Sequence, residues 1–152
     1  MVDVFTTKKR SDVMARIRGR GNKRTEIAFA DLLRKHHVVG WRRHKRIRLV
    51  GRTTKRTPLQ KTSRFVRPDF VFQSAKIAIF IDGCFWHSCP KHCTLPSTNE
   101  GFWQHKLEGN KRRDRRVTRM LRNAGWKVLR VWEHDMRTGN RVASRLLRII
   151  RK

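Results

Sequence analysis

The sequence predicts an α/β class domain, a mixed sheet flanked by helices, and three features predict it. Two short apolar runs, "RPDFVF" (67–72) and "KIAIFID" (76–82), are separated only by "QSA" and read as a β-hairpin. A stripe of apolar residues at helical spacing runs through residues 99–123, and a further β-type run, "WKVLRVWE" (126–133), follows it. Helices on both sides of a strand series in sequence give a layered α/β or α+β arrangement.

The elements follow in order. Ser11 can cap a short helix carrying Met14 and Ile17 on one face, stopped at "GRGN" (19–22). A second helix runs from about Thr25 to His36, with Ile27, Ala30 and Leu33 at helical spacing and Glu26 in its first turn. Residues 42–64 are mostly basic and polar, contain Gly51 and Pro58, and read as a long exposed hairpin or loop. After the hairpin the long helix spans about Asn99 to Asn123 and ends before Gly125. Val142, Leu146 and Ile149 mark a closing helix. No internal repeat is visible. At 152 residues the chain reads as a single domain, 1–152, with an N-terminal arm (about 1–20) and a basic insertion (about 43–64).

Thirty-nine Lys and Arg against eleven Asp and Glu give a formal charge of +28, far beyond the needs of solubility. The matching counterion is a polyphosphate. Membrane insertion is excluded as an expectation, because the longest apolar runs, such as "IAIFI" (77–81), are only strand-length. The start "MVDVFTTKKRSDVM" lacks the continuous apolar region of a signal peptide, so the expected location is the cytoplasm. In that reducing compartment three clustered cysteines favour metal ligation over a disulfide. Charge alone fits a ribosomal or chromatin-type binder equally well.

With acids so scarce, their positions carry information. Asp69 begins one strand of the hairpin and Asp82 ends the next, and a tight turn brings those ends together. Two carboxylates at neighbouring strand ends make a site for a hard cation such as magnesium; alternatively each pairs with an arginine. On the long helix Trp103, Leu107, Asn110, Asp114, Val117 and Leu121 fall on one stripe, which should face the core. Asn110 and Asp114 interrupt it and need partners there. Asp114 either tethers Arg113 or Arg115, or holds a catalytic histidine or a metal-bound water.

The segment "DGCFWHSCPKHC" (82–93) concentrates the remaining chemistry. Cys84, Cys89 and His92 form a C-x4-C-x2-H pattern suited to tetrahedral zinc. The fourth ligand is either the adjacent Cys93 or His134, from "WEH" at the end of the last strand. A site tying a loop to a distant strand would be closed and structural. His87 stands outside that set, and an imidazole titrating near neutrality suits a general base. Phe85 and Trp86, squeezed between a ligand and a candidate base, read as exposed wedges for opening a base stack.

"RPDF", "FIDGCFWHSCPKH", "TNEGFWQHKLEGNKRRDRRV" and "LRNAGWKVLRVWEH" closely resemble very short patch repair (Vsr-type) DNA mismatch endonucleases, and the resemblance runs from about Ser11 to His134. It implies a restriction-endonuclease-like nuclease fold with a structural zinc site. It also implies Mg2+-dependent nicking of duplex DNA 5′ of the T in T:G mismatches, which arise by deamination of 5-methylcytosine. Residue by residue, it makes Asp69 the magnesium ligand, with the backbone carbonyl of Ile81. It makes His87 the base, supported by Asp114 and Glu26. Cys84, Cys89, His92 and His134 take the Zn2+ positions, and Phe85, Trp86 and Trp103 those of aromatics that enter DNA beside the mismatch. Asp82 stands where the family can have His, as a candidate second metal ligand.

Two departures from the family stand out. Cys84 falls where related nucleases carry a lysine, which makes His87 more necessary. The basic segment from about Arg43 to Arg64 is longer than the family's connection, and Arg52, Lys55, Arg56 and Lys61 there are expected to grip phosphate. The expected partner is double-stranded DNA carrying a T:G mismatch, bound by a monomer. Functional links to a cytosine-5 DNA methyltransferase and to mismatch-repair proteins are expected, with nucleoid association in a bacterial-type cytoplasm. The alternatives are a non-catalytic zinc-stapled nucleic-acid-binding protein and a restriction-type endonuclease on matched DNA.

Overall fold

The computed structural model describes residues 23–49, 64–138 and 140–150. The Ser11 helix and the phosphate-binding candidates Arg52, Lys55, Arg56 and Lys61 lie outside those residues.

A π-helical turn, Lys23–Ile27, leads into helix α1 (Ala28–Lys35), so the expected 25–36 helix opens with a wider turn. Its end is a left-handed residue: His37 has φ 52°, its N–H donates to the Arg34 carbonyl (3.0 Å), and the Val38 N–H donates to Leu33 (2.9 Å). That pair of bonds is the Schellman pattern, with His in the place where glycine is usual. Three short strands follow: β1 (Trp41–Arg43), β2 (Ile47–Leu49) and β3 (Arg64–Val66). The hairpin is β4 (Phe70–Phe72) and β5 (Ile77–Asp82). Helix α2 (Glu100–Asn123) crosses over to β6 (Lys127–Trp132), and a 3-10 turn, Glu133–Thr138, precedes α3 (Asn140–Ile150). The end of α2 repeats the Schellman geometry, now with Gly125 at φ 79° and bonds from Gly125 to Arg122 and Trp126 to Leu121.

Among the described residues the main sheet has the order β1-β4-β5-β6, and β2 and β3 form a separate antiparallel ribbon. β1–β4 and β4–β5 are antiparallel, whereas β5 and β6 are parallel, from Ile77↔Lys127 to Asp82↔Trp132. Side chains alternate across this sheet and both faces are covered, which is why its central strands read as continuous apolar runs. Phe70, Phe72, Ile79, Ile81, Leu129 and Val131 point to one face, against Phe29 and Leu33 of α1 and Val142 and Leu146 of α3. Val71 and Ala78 point to the other, against Leu121 of α2, Trp126 and the ribbon. No helix among the described residues is long and apolar enough to cross a membrane.

Two expectations need correction. The 42–64 segment is not simply exposed at its described ends, since Ile47 and Leu49 are buried, as is Val66 on the paired strand, while Arg48 and Phe65 are exposed. The strand expected over 67–72 starts at Phe70, leaving Asp69 in the bend before it.

Candidate active site and Cys/His cluster

Both central strands end at the same edge of the sheet, and the loop leaving β5 folds over that edge in successive turns. His87 N–H donates to Gly83, Cys89 N–H to Cys84 and Cys93 N–H to Cys89. Because β5 and β6 are parallel and in register, the residue two beyond each strand end, Cys84 and His134, meet with Sγ to Nδ1 at 3.2 Å. Cys89 Sγ lies 3.6 Å from the same Nδ1 and 3.7 Å from Nδ1 of His92. These four residues each offer a ligand atom, all within 4.8 Å of one another. Tetrahedral zinc with ordinary bond lengths separates its ligands by about 3.3–3.8 Å, so the donor set has nearly the size of a loaded site. Burial pushes the Cys84 thiol up, and the neighbouring Cys89 thiol adds to this, a penalty that a bound cation reverses. Cys93 turns away, its Sγ 3.6 Å from the Phe85 carbonyl. His134 Nε2 faces Asp135 Oδ1 at 3.4 Å, which orients the ring.

His87 is held from α2. Its Nδ1 lies 2.5 Å from Asp114 Oδ2. One turn earlier on the same face, Asn110 Nδ2 donates to the Trp86 carbonyl at 2.9 Å. The two polar breaks in the helix stripe are therefore the two points where α2 fastens the loop. Burial alone would raise the Asp114 carboxyl, but the bond to His87 and the charges of His87, Arg130 and Arg113 outweigh it and hold it below the usual range. Asp114 is thus an ionised acceptor, and the bonded Nδ1 carries the proton, leaving Nε2 as the basic nitrogen. Arg113, the tether considered for Asp114, is 3.8 Å away and largely exposed.

Asp82 pairs with an arginine and is not grouped with Asp69. It is 4% exposed and takes a two-pronged bond from Arg130, Nε at 2.6 Å and NH2 at 2.5 Å. Asp69 instead groups with Glu26 and His44, one ligand atom from each lying within 4.8 Å of the others. The Ile81 N–H donates to Asp69 Oδ2 at 2.7 Å, across the hairpin. Burial pushes the Asp69 carboxyl up against the opposing Ile81 bond, and the facing Glu26 adds to the rise. Glu26 is itself buried and meets Arg43 NH2 at 2.5 Å and His44 Nε2 at 2.9 Å. A cation between Asp69 and Glu26 would relieve the repulsion of two buried carboxylates, so the donor chemistry fits a divalent ion.

His44 is the member of this group that the sequence reading passes over. It follows β1 in the left-handed region, φ 53°, with its N–H on the Asp69 carbonyl at 3.0 Å. A side chain held there is strained, and such strain collects at functional sites.

Phe85, Trp86 and Trp103 form one aromatic cluster, with ring centroids 5.2 to 6.1 Å apart. Trp103 is only 7% exposed, so it is the floor of the cluster rather than its open surface. Phe102, which packs on Trp103 at 5.2 Å, is 61% exposed.

The model of the family DNA mismatch endonuclease Vsr matches residues 2–95. Type II nicking enzyme V.NmeAIP of Neisseria meningitidis is 34% identical over 155 residues, covering 100% of this chain and 96% of that protein. The chain belongs to the Vsr family. The family match includes Glu26, Asp69 and the loop to His92; Asp114, Arg130 and His134 fall within the longer alignment. Type II nicking enzyme V.NaeI of Lentzea aerocolonigenes is 60% identical over 70 residues, 46% of this chain and 42% of that protein. DNA mismatch endonuclease Vsr of Escherichia coli K12 is 46% identical over 74 residues, 47% of this chain and 46% of that protein. With the last two, the match spans less than half of either chain.

Replacing Asn110 with Ala leaves the Trp86 carbonyl of this Vsr-family chain without its donor. The expected loss is about 1 kcal/mol of stability, read as a lower urea midpoint. Equal midpoints would mean that the loop is fastened without Asn110.

Proposed function

We propose that this chain nicks duplex DNA on the 5′ side of the T in T:G mismatches left by deamination of 5-methylcytosine, by magnesium-dependent hydrolysis. The observation that carries this reading is the His87–Asp114 pair, 2.5 Å apart, at the strand ends that also carry the Glu26–His44–Asp69 group. A binding protein has no use for an imidazole oriented by one acid and for two more acids grouped beside a surface that meets phosphate. Relatives named as a mismatch endonuclease and as nicking enzymes support hydrolysis of one strand.

Asp69 and Glu26 would be the oxygen donors for magnesium. Along a strand a residue's N–H and C=O lie on the same edge, so the Ile81 carbonyl shares the side on which its N–H meets Asp69. His44 is a nitrogen donor, poorly suited to magnesium, and supports Glu26. When bound, the ion stabilises negative charge developing on the scissile phosphate. Asp114 keeps the proton of His87 on Nδ1, so Nε2 takes the proton of the attacking water. The water oxygen bonds to phosphorus, one phosphoester bond breaks, and the departing oxygen leaves with the bonding pair and gains a proton from solvent. The surface charge draws the duplex in, and Phe85 and Trp86 enter the stack beside the mismatch, where opening it is cheapest.

Single-turnover nicking of matched and T:G duplexes, with magnesium and with EDTA, tests this. The parent should cut only the T:G duplex with magnesium, and equal cutting of the matched duplex would make it a restriction-type enzyme. Asp69→Ala should abolish nicking while sparing binding, since it removes negative charge facing DNA. His87→Ala should slow it roughly 100- to 10,000-fold, as loss of a positioned base does. Parental rates in either variant would remove the role assigned to that residue.

Trp86→Ala should reduce preference for T:G over matched DNA more than it reduces binding to either. An equal loss on both duplexes would make Trp86 a packing residue only.

Cys84, Cys89, His92 and His134 suit one structural zinc per chain. Elemental analysis of protein made in a reducing cytosol should find it, and His134→Ala should lose the ion and melt at lower temperature. A His134→Ala protein that keeps its zinc and its melting temperature would transfer the fourth position to Cys93.

A further inference from the structure

Strand β6 holds an arginine where its neighbours are core: Leu129 and Val131, on either side of Arg130, are 1% and 2% exposed. Alternation turns Arg130 to the α2 face of the sheet, the face of Phe80 and Asp82, and its guanidinium lies 5.0 Å over the Phe80 ring. Two donors go to Asp82. NH2 also lies 3.2 Å from Asp114 Oδ2, the same oxygen that receives Nδ1 of His87. NH2 stands 3.4 Å from that Nδ1 itself. NH1 is buried without a hydrogen-bond partner among the described residues.

We infer that Arg130 is a positioning residue for the hydrolytic step: its guanidinium, set by Asp82, fixes the Asp114 oxygen that orients His87. The inference rests on the endonuclease reading of the same site. Stability does not account for this arrangement. A buried ion pair stabilises a fold weakly, if at all, relative to apolar side chains of similar volume, and an unpaired buried N–H adds a cost. Apolar side chains at 82 and 130 together would suit the α2 face, where Phe80 and Val128 already pack. What the arginine adds is a second donor on Asp114 Oδ2. With only His87 bonded there, that carboxylate would be free to rotate about its terminal torsion and swing the imidazole with it. Asp82, with both oxygens taken by Arg130, acts through the arginine rather than on a metal.

The test combines Arg130→Met and Arg130→Lys with His87→Ala and the double variant His87→Ala/Arg130→Met. Single-turnover nicking at saturating T:G duplex, the Kd for that duplex and the melting temperature are measured for each. Arg130→Met should slow the nicking step about 100-fold, as a misplaced catalytic group does, with Kd within about twofold, which shows the variant folded; its melting temperature should fall, because Asp82 is left buried without its cation. Arg130→Lys should recover part of the rate. In the His87→Ala background Arg130→Met should cost nothing further, because the group that it positions is gone. A parental rate in Arg130→Met, a rate loss that only follows Kd, or an equal loss in the His87→Ala background would overturn the inference. Nitrogen NMR of the His87 ring separates this from failure of the endonuclease reading. Even in a chain that does not nick, the parent should show the Nδ1–H tautomer and Arg130→Met a mixture, and identical spectra would also overturn it.

Discussion

The parallel pairing of β5 with β6 is the constraint on which the rest of this molecule depends. Parallel neighbours need a crossover, here α2, and they end at the same edge of the sheet. In open α/β sheets ligands bind outside those carboxyl ends. From Ile77↔Lys127 to Asp82↔Trp132 the register delivers Arg130 to Asp82 and His134 to Cys84. A slip of one residue would turn Arg130 to the α1 and α3 face and send Leu129 and Val131 to the other. The hairpin adds the third component, because the Gln73–Lys76 turn sets Asp69 opposite the Ile81 N–H. Strand pairing thus builds the site, and the loops complete it.

Much of this was legible because the signals were long. The hairpin, the crossover helix and β6 are each continuous apolar patterns, and the Cys/His spacing is dense. The two polar breaks in the helix stripe pointed to contacts that the structure places on the loop, at Trp86 and His87. Three-residue strands left no comparable trace: β1, β2 and β3 are too short for alternation to rise above a basic background. His44 joins Asp69 only through a left-handed bend, which a histidine does not advertise in sequence. Trp103 carried two signals, core stripe and family aromatic, and burial decides for the core in the free protein. Asp82 looked like a partner for Asp69 because both end strands of one hairpin. Facing decides otherwise, since Asp82 points to the α2 face and Asp69 stays at the sheet edge.

The acids divide by what balances them. Asp114 and Asp82 already have donors in His87 and Arg130, and the Asp114 carboxyl is held low despite burial. Asp69 lacks enough, and its carboxyl is pushed up by burial with Glu26 adding to the rise. Within a chain of +28 the shortage of positive charge falls at Asp69, next to Ile81 at the sheet edge. That local deficit is what a divalent ion would fill, and the surrounding excess is what would hold a polyanion against it.

The loop from Gly83 to Cys93 must satisfy conflicting demands, and its composition resolves them. It carries His87, whose ring has to be fixed, beside Phe85 and Trp86, which in the proposed reaction leave the protein for the base stack. A loop of this size ordinarily anchors itself by burying its largest apolar side chains. Doing so here would remove the wedge. Cys84 and Cys89 flank His87 in sequence and converge on His134 of the β6 end, so sulfur and imidazole donors can anchor the loop on both sides of the base. Asn110 and Asp114 then fasten it from the helix side by hydrogen bonds that do not involve the aromatic rings. The aromatic rings are left half-buried, resting on Trp103 rather than locked beneath it. Fixing His87 while leaving Phe85 and Trp86 half-buried requires that polar and metal-competent groups, rather than burial of those two rings, hold the loop in place.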